Sequence, residues 1–261
     1  MGSTLYKLPV FNTIWLAVKL PFTYPSVFVR AASFYFLARI ITFIFVPYLV
    51  VSGMPDMLRL PAMTMVLASV AHFAVAWHRF IILGARQPAI VRFGRYEAFY
   101  LILLLIVGPG VSFLAQAIGT LPEDIAPAGQ ILAVFVVIGF MAPLFGIIAP
   151  SVAIGKYTLS IGHYWKLMTN NRLRFIGVLL ITEFILAAGY WACVKLASFL
   201  TWDVVVPVLN IEVPNPADPD LFSLVVISMP SSVFLGVASA YAVSVGIGVL
   251  SISYYRFAAV R

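Results

Sequence analysis

Apolar residues run through this chain in long unbroken blocks, at roughly 31–53, 60–82, 98–119, 129–153, 175–199 and 222–252. Each block is near the ~20 residues that a helix needs to cross the hydrocarbon core of a bilayer. The pattern predicts an all-α integral membrane bundle of about six transmembrane helices. Two shorter stretches are patterned differently. Phe11, Ile14, Trp15 and Val18, and again Ile161, Tyr164, Trp165 and Met168, fall at i, i+3, i+4 and i+7. An apolar stripe that carries tryptophan beside lysine suits a helix lying in the headgroup layer, with Trp15, Lys19, Trp165 and Lys166 as membrane-interface anchors. The other reading of the same stripe is a cytoplasmic helix packed on the bundle.

The two stretches also open two similar passages. Arg30 and Arg39 stand nine residues apart at the start of one span, as do Arg174 and Glu183 at the start of another. The partner spans end in WHRF at 77–80 and YYRF at 254–257, and the longer first half contains the extra segment PFTYPS at 21–26. These matches predict a parallel internal repeat, with halves at approximately 5–83 and 157–257 and spans three and four at 98–153 between them. The whole chain, 1–261, reads as a single transmembrane domain.

Composition agrees with a membrane solvent: 63% of residues are apolar and 10% charged, and the mean hydropathy is +1.06. The net charge of +7 is explained by where the bases fall. All the lysines and arginines except Arg59 and Lys195 lie on or near one side of the predicted spans, whereas Asp56, Glu123, Asp124, Asp203, Glu212, Asp218 and Asp220 lie in the connections of the other. Basic residues are retained in the cytoplasm, so both termini are expected there, and nucleic acid is not needed to explain the charge. The single cysteine, Cys193, excludes an intrachain disulfide.

Arg39 and Glu183 fall at corresponding depths inside their spans, where an ionisable residue is expensive unless partnered or wet. They form a candidate intramembrane polar pair; alternatively Arg39 reaches back to lipid phosphates and Glu183 carries a proton. His72, His78 and His163 are scattered, without metal-ligand spacing, so no metal or cofactor is expected. No nucleophile with a base, and no pair of facing carboxylates, marks a catalytic site. Gly108, Pro109, Gly110, Pro143 and Pro150 interrupt spans three and four. In the last span Gly236, Ala240, Ser244 and Gly248 recur every four residues, a candidate helix-packing interface. The segment from 200 to 221 is the one long outer loop expected.

The stretches AWHRFIILG and APSVAIGKYTLSIGHYWKLMTNNRLRF resemble a group of uncharacterised alphaproteobacterial-type six-span inner-membrane proteins. More distantly they are similar to the membrane domain of glycerophosphodiester phosphodiesterases. The resemblance implies a multi-pass protein of the bacterial cytoplasmic (inner) membrane, and no activity. Such proteins often carry an acid after the WHRF-like exit, where this chain has Ala85 and Arg86 after Gly84, so no role for that acid transfers. The reading favoured by the residues is non-enzymatic: an accessory or assembly subunit acting through membrane lipids and other membrane subunits. A small transporter or lipid-handling protein using Arg39 and Glu183 is the alternative.

Overall fold

The computed structural model describes residues 7–51, 59–84, 93–105, 144–156, 171–209 and 221–258, together with Gly162, Lys166 and Met168. Among them the regular structure is entirely helical. Helix α1 is Val10–Thr23, α2 is Pro25–Val51 and α3 is Arg59–Leu83. Residues 95–105 form α4. A wide π turn at Leu144–Ile148 leads into α5, Ala149–Ala153. Helix α6 is Arg172–Phe199 and continues through a second π turn, Leu200–Val205, into Val206–Leu209. Helix α7, Leu221–Ala258, is the longest.

Four stretches are long and apolar enough to cross a membrane: Pro25–Phe45, Pro61–Leu83, Arg172–Val208 and Ile227–Ala258. This is a helical membrane protein by length and composition. Of the expected third and fourth spans, the helical residues 98–105 and 144–153 are described; Gly108, Pro109, Gly110 and Pro143 lie outside the described residues, as do residues 210–220 of the expected 200–221 loop. The expected loop also begins later than the pattern suggested, because helix persists to Leu209.

Helix α7 is the axis of the bundle, packing against α1, α2, α3 and α6. Ring contacts fix the directions. Tyr24, just before α2, meets Phe80 near the end of α3 at 5.1 Å, and Phe175 near the start of α6 meets Phe257 near the end of α7 at 5.7 Å. The starts of α2 and α6 and the ends of α3 and α7 therefore share one end of the bundle. Arg79, Arg172, Arg174 and Arg256 cluster at that end.

Lipid is as apolar as leucine, so burial from water does not draw spanning helices together; close packing does. The small residues of α7 show how. A Cβ at Gly236 would stand 3.1 Å from the Phe36 ring of α2, and one at Gly248 would stand 3.1 Å from Cβ of Ala17 in α1. Between them Ala240 is buried against the first core cluster, which includes Ala31, Ala32, Tyr35, Phe73 and Trp77. A second cluster gathers Leu8, Ile14, Ala17, Ile147, Met168, Phe175, Val178 and Val249 around the other side of α7.

Helix ends are closed by backbone geometry. Gly84, at φ +63°, terminates α3 by donating to Phe80 O at 2.9 Å. Gly155, at φ +74°, ends α5 in a Schellman arrangement: its N–H reaches Val152 O and that of Lys156 reaches Ser151 O. Pro25 opens α2 at a position where its missing N–H costs nothing.

Gly146, in the first π turn, lies so close to Phe175 that a Cβ there would overlap the ring. Gly146→Ala is expected to cost about 1–3 kcal/mol through overpacking. Gly177→Ala and Gly189→Ala, where an added Cβ meets nothing within 4 Å, should stay within about 0.5 kcal/mol of the parent. Unfolding of the detergent-solubilised variants checks the contrast; equal stability of all three would show that the π turn does not need its glycine.

Candidate functional site

Helix α1 carries the first of the two amphipathic stripes, and it is packed on the bundle. Thr13, Ile14, Ala17 and Pro21 are buried, with the Thr13 hydroxyl 2.7 Å from an Arg256 guanidinium nitrogen and the Val18 carbonyl receiving the Tyr241 hydroxyl at 3.1 Å. Both contacts reach α7. The buried face is thus centred on small residues, while Phe11, Trp15 and Phe22 of the apolar side stay exposed. Lys19 holds its ammonium 4.6 Å from the Trp15 ring centre. The second stripe is described only in part: Lys166 is exposed and Met168 is buried in the second cluster, whereas Tyr164, Trp165 and His163 lie outside the described residues.

A polar clamp fastens the beginning of the chain to the beginning of α6. The Leu8 N–H donates to Asn171 Oδ1 at 2.8 Å, and Arg174 donates to the Leu8 carbonyl at 3.4 Å. Leu8 and Asn171 are buried. The main chain ahead of α1 is thereby given the partners that no helix supplies.

The expected pair Arg39 and Glu183 is not joined in the structure. The guanidinium of Arg39 lies 4.4 Å over the Phe43 ring of its own helix, and its Nε is buried without a hydrogen-bond partner. Glu183 is exposed on α6, and among the described residues it makes no hydrogen bond or ion pair. The reason is architectural: α2 and α6 both pack on α7 and scarcely touch each other.

The four-residue ladder on α7 works within the chain. Gly236 meets α2 and Gly248 meets α1. Ser244 accepts the Trp77 indole N–H of α3 on its main-chain oxygen at 3.0 Å. Trp77 is fully buried, stacked 5.4 Å from Phe80 and edge-on to Phe28 at 5.9 Å.

Next to Trp77, His78 builds the most complete buried polar arrangement among the described residues. Ser251 donates its one hydroxyl hydrogen to Ile247 O at 2.8 Å. Its remaining lone pairs then receive the proton on His78 Nδ1, 2.7 Å away. In the neutral ring Nε2 is an acceptor, and the Tyr100 hydroxyl lies 3.3 Å from it. His78 and Ser251 are entirely buried and Tyr100 nearly so. Assigned from this network, the imidazole is the Nδ1–H tautomer, and it ties α3, α4 and α7 together. Sequence reasoning singled out His78 but missed Tyr100 and Ser251. The available signal for Ser251 was its place seven residues beyond Ser244, on the same face of α7.

Among the described residues no three of His, Cys, Asp and Glu gather as metal ligands. At the basic end of the bundle a half-open groove of about 470 Å³ lies between α1, the start of α2 and the ends of α3 and α7. No protein-family model, curated protein or solved structure matches the chain.

Ser251→Ala leaves the His78 Nδ1–H without an acceptor in a dry site and is expected to cost about 1–3 kcal/mol. Tyr100→Phe, which removes the longer bond, should cost less, about 0.5–1.5 kcal/mol. Unfolding measurements give the order, and ¹⁵N chemical shifts of the imidazole report the tautomer. A proton found on Nε2 would contradict the relay.

Proposed function

We propose that the protein is a non-enzymatic membrane subunit that accompanies or helps assemble a larger complex, binding a partner helix through α6. Glu183 carries the proposal. It stands nine residues beyond Arg174 on a face where Ala187, Trp191 and Val194 are also exposed. Taking Arg174 at headgroup level places Glu183 about 13 Å deeper, at 1.5 Å per residue, which is near the middle of a ~30 Å core. A carboxyl group facing hydrocarbon there is costly and calls for a donor on another helix. Ala187, one turn further along the same face, is small and exposed and leaves room for close approach. Helix α2 carries the matching feature, a mid-span guanidinium with its Nε unanswered.

The wider picture in this reading is a six-span inner-membrane protein with cytoplasmic termini. The shared basic end of α2, α3, α6 and α7 supports the orientation through the positive-inside bias. A duplicated hairpin is supported by the equivalent roles of Phe80 and Phe257, each of which closes the end of one helix pair on an aromatic residue at the start of the other helix.

The test is native mass spectrometry of the protein released gently from its own membranes. The expected result is a stoichiometric protein partner whose affinity falls roughly tenfold in Glu183→Leu, the loss of an interhelical hydrogen bond of about 1–2 kcal/mol, and largely persists in Glu183→Gln. Since Glu183 makes no hydrogen bond or ion pair with any described residue, the stability of the free chain should not fall. A protein released alone, or a partner indifferent to Glu183→Leu, overturns the reading.

A further inference from the structure

The groove at the basic end differs in character from the exposed face of α6. Leu16 and Leu20 of α1, Phe80 and Ile81 of α3 and Ile252 of α7 form apolar walls, while Lys19, Thr23 and Tyr24 stand at the mouth. Its volume of about 470 Å³ falls in the ~300–1,000 Å³ range of sites that hold small molecules. Gly84 lines one side, and a Cβ there would meet nothing within 4 Å, so the space is open at that point.

Two features say what fits. The groove is continuous with the outer surface of α1: Leu16 lines it and is itself 40% exposed, beside Trp15 at 56%. A ligand enters from the layer where aromatic rings and lysine sit together, which is the boundary between headgroups and acyl chains. Among the described residues the only charged one lining the groove is Lys19, whose ammonium lies over Trp15 and forms no ion pair with any of them. Helix dipoles do not decide the sign, because the positive end of α2 begins beside Tyr24 while Gly84 caps the negative end of α3. Lys19 decides it. The Thr23 hydroxyl is already spent on Lys19 O at 3.0 Å, so the mouth offers an anion one full positive charge and few competing polar groups.

We propose that this groove binds one anionic phospholipid, an acyl chain lying between Leu16, Leu20, Phe80 and Ile252 and the headgroup phosphate meeting Lys19. The site does not depend on a protein partner at α6. Nor does it involve Arg39 or Glu183.

Native mass spectrometry of the purified protein, titrated with phosphatidylglycerol or phosphatidylcholine of the same chains, tests it. The parent should retain one phosphatidylglycerol after looser lipids are stripped, in preference to phosphatidylcholine. Lys19→Ala should reduce that preference about fivefold, the effect of one basic residue near a charged headgroup, and Lys19→Arg should keep it. Thr23→Trp, at an exposed position, should fill the groove and lower the occupancy of both lipids without lowering the unfolding temperature. Glycerol phosphate at millimolar concentration should not displace the bound lipid. An unchanged preference in Lys19→Ala, wild-type occupancy in Thr23→Trp, or displacement by glycerol phosphate would each overturn the site.

Discussion

Close approach along α7 is the constraint on which the other contacts depend. Gly236 lets the Phe36 ring of α2 come against its main chain, and Gly248 lets Ala17 bring α1 within van der Waals reach. Between these two points the Ser244 carbonyl is near enough to take the Trp77 indole N–H from α3. A larger side chain at either glycine would push a helix outward, and the separation would reach Trp77 and the His78 relay next to it. In a solvent of lipid no hydrophobic force restores a parted helix pair, so the small residues set the distance. The large residues then fill what the distance leaves: Phe28, Phe73, Trp77 and Phe80 form a continuous aromatic layer between α2 and α3.

The same rule explains why α1 turns its bulk outward. In water Phe11, Trp15 and Phe22 would be driven inside and Thr13 and Ala17 would be left to solvent. Here the order is reversed. Thr13 and Ala17 are small enough to seat the helix on α7, and Thr13 brings a hydroxyl that answers Arg256. The aromatic residues stay exposed, and the Lys19 ammonium lies over the Trp15 ring.

Much of this was legible in the order of residues, and the limits of legibility have physical causes. The blocks at 60–82 and 175–199 lie within a few residues of α3 and α6, since a span is an unbroken apolar run and needs no partner to be seen. Helix α2 begins six residues before its block because PFTYPS, read as an insert, is largely helical, with Pro25 in the first turn where a proline is tolerated. The ladder on α7 could be read as an interface from spacing alone, but its neighbours could not, because a glycine records that something comes close and not what. The relay was hidden for a different reason. His78 is 22 residues from Tyr100 and 173 from Ser251, and no local period links them. The Arg39 and Glu183 pairing failed on a related point: equal depth along two helices says nothing about which faces they turn, and α7 lies against both.

The contrast between His78 and Glu183 bears on what kind of molecule this is. At the basic end, a histidine taken out of water is answered on both ring nitrogens, by Ser251 and Tyr100, and the cost of burying it is offset inside the chain. Leu8 is treated the same way, its N–H and carbonyl met by Asn171 and Arg174. At these two places the chain answers from within the polar groups that its packing encloses, whereas the buried Arg39 Nε is left unanswered. Glu183 is not enclosed; it is exposed on α6, one turn before the small Ala187, and makes no hydrogen bond or ion pair among the described residues. A lipid tail cannot donate a hydrogen bond to it, and water at that depth would need a polar channel, for which the exposed neighbours Phe184 and Ile185 are unsuited. In the proposed reading a donor on an adjoining helix would satisfy the carboxyl and approach over the small Ala187, so the surface that makes least sense in lipid is the one that reading assigns to a partner.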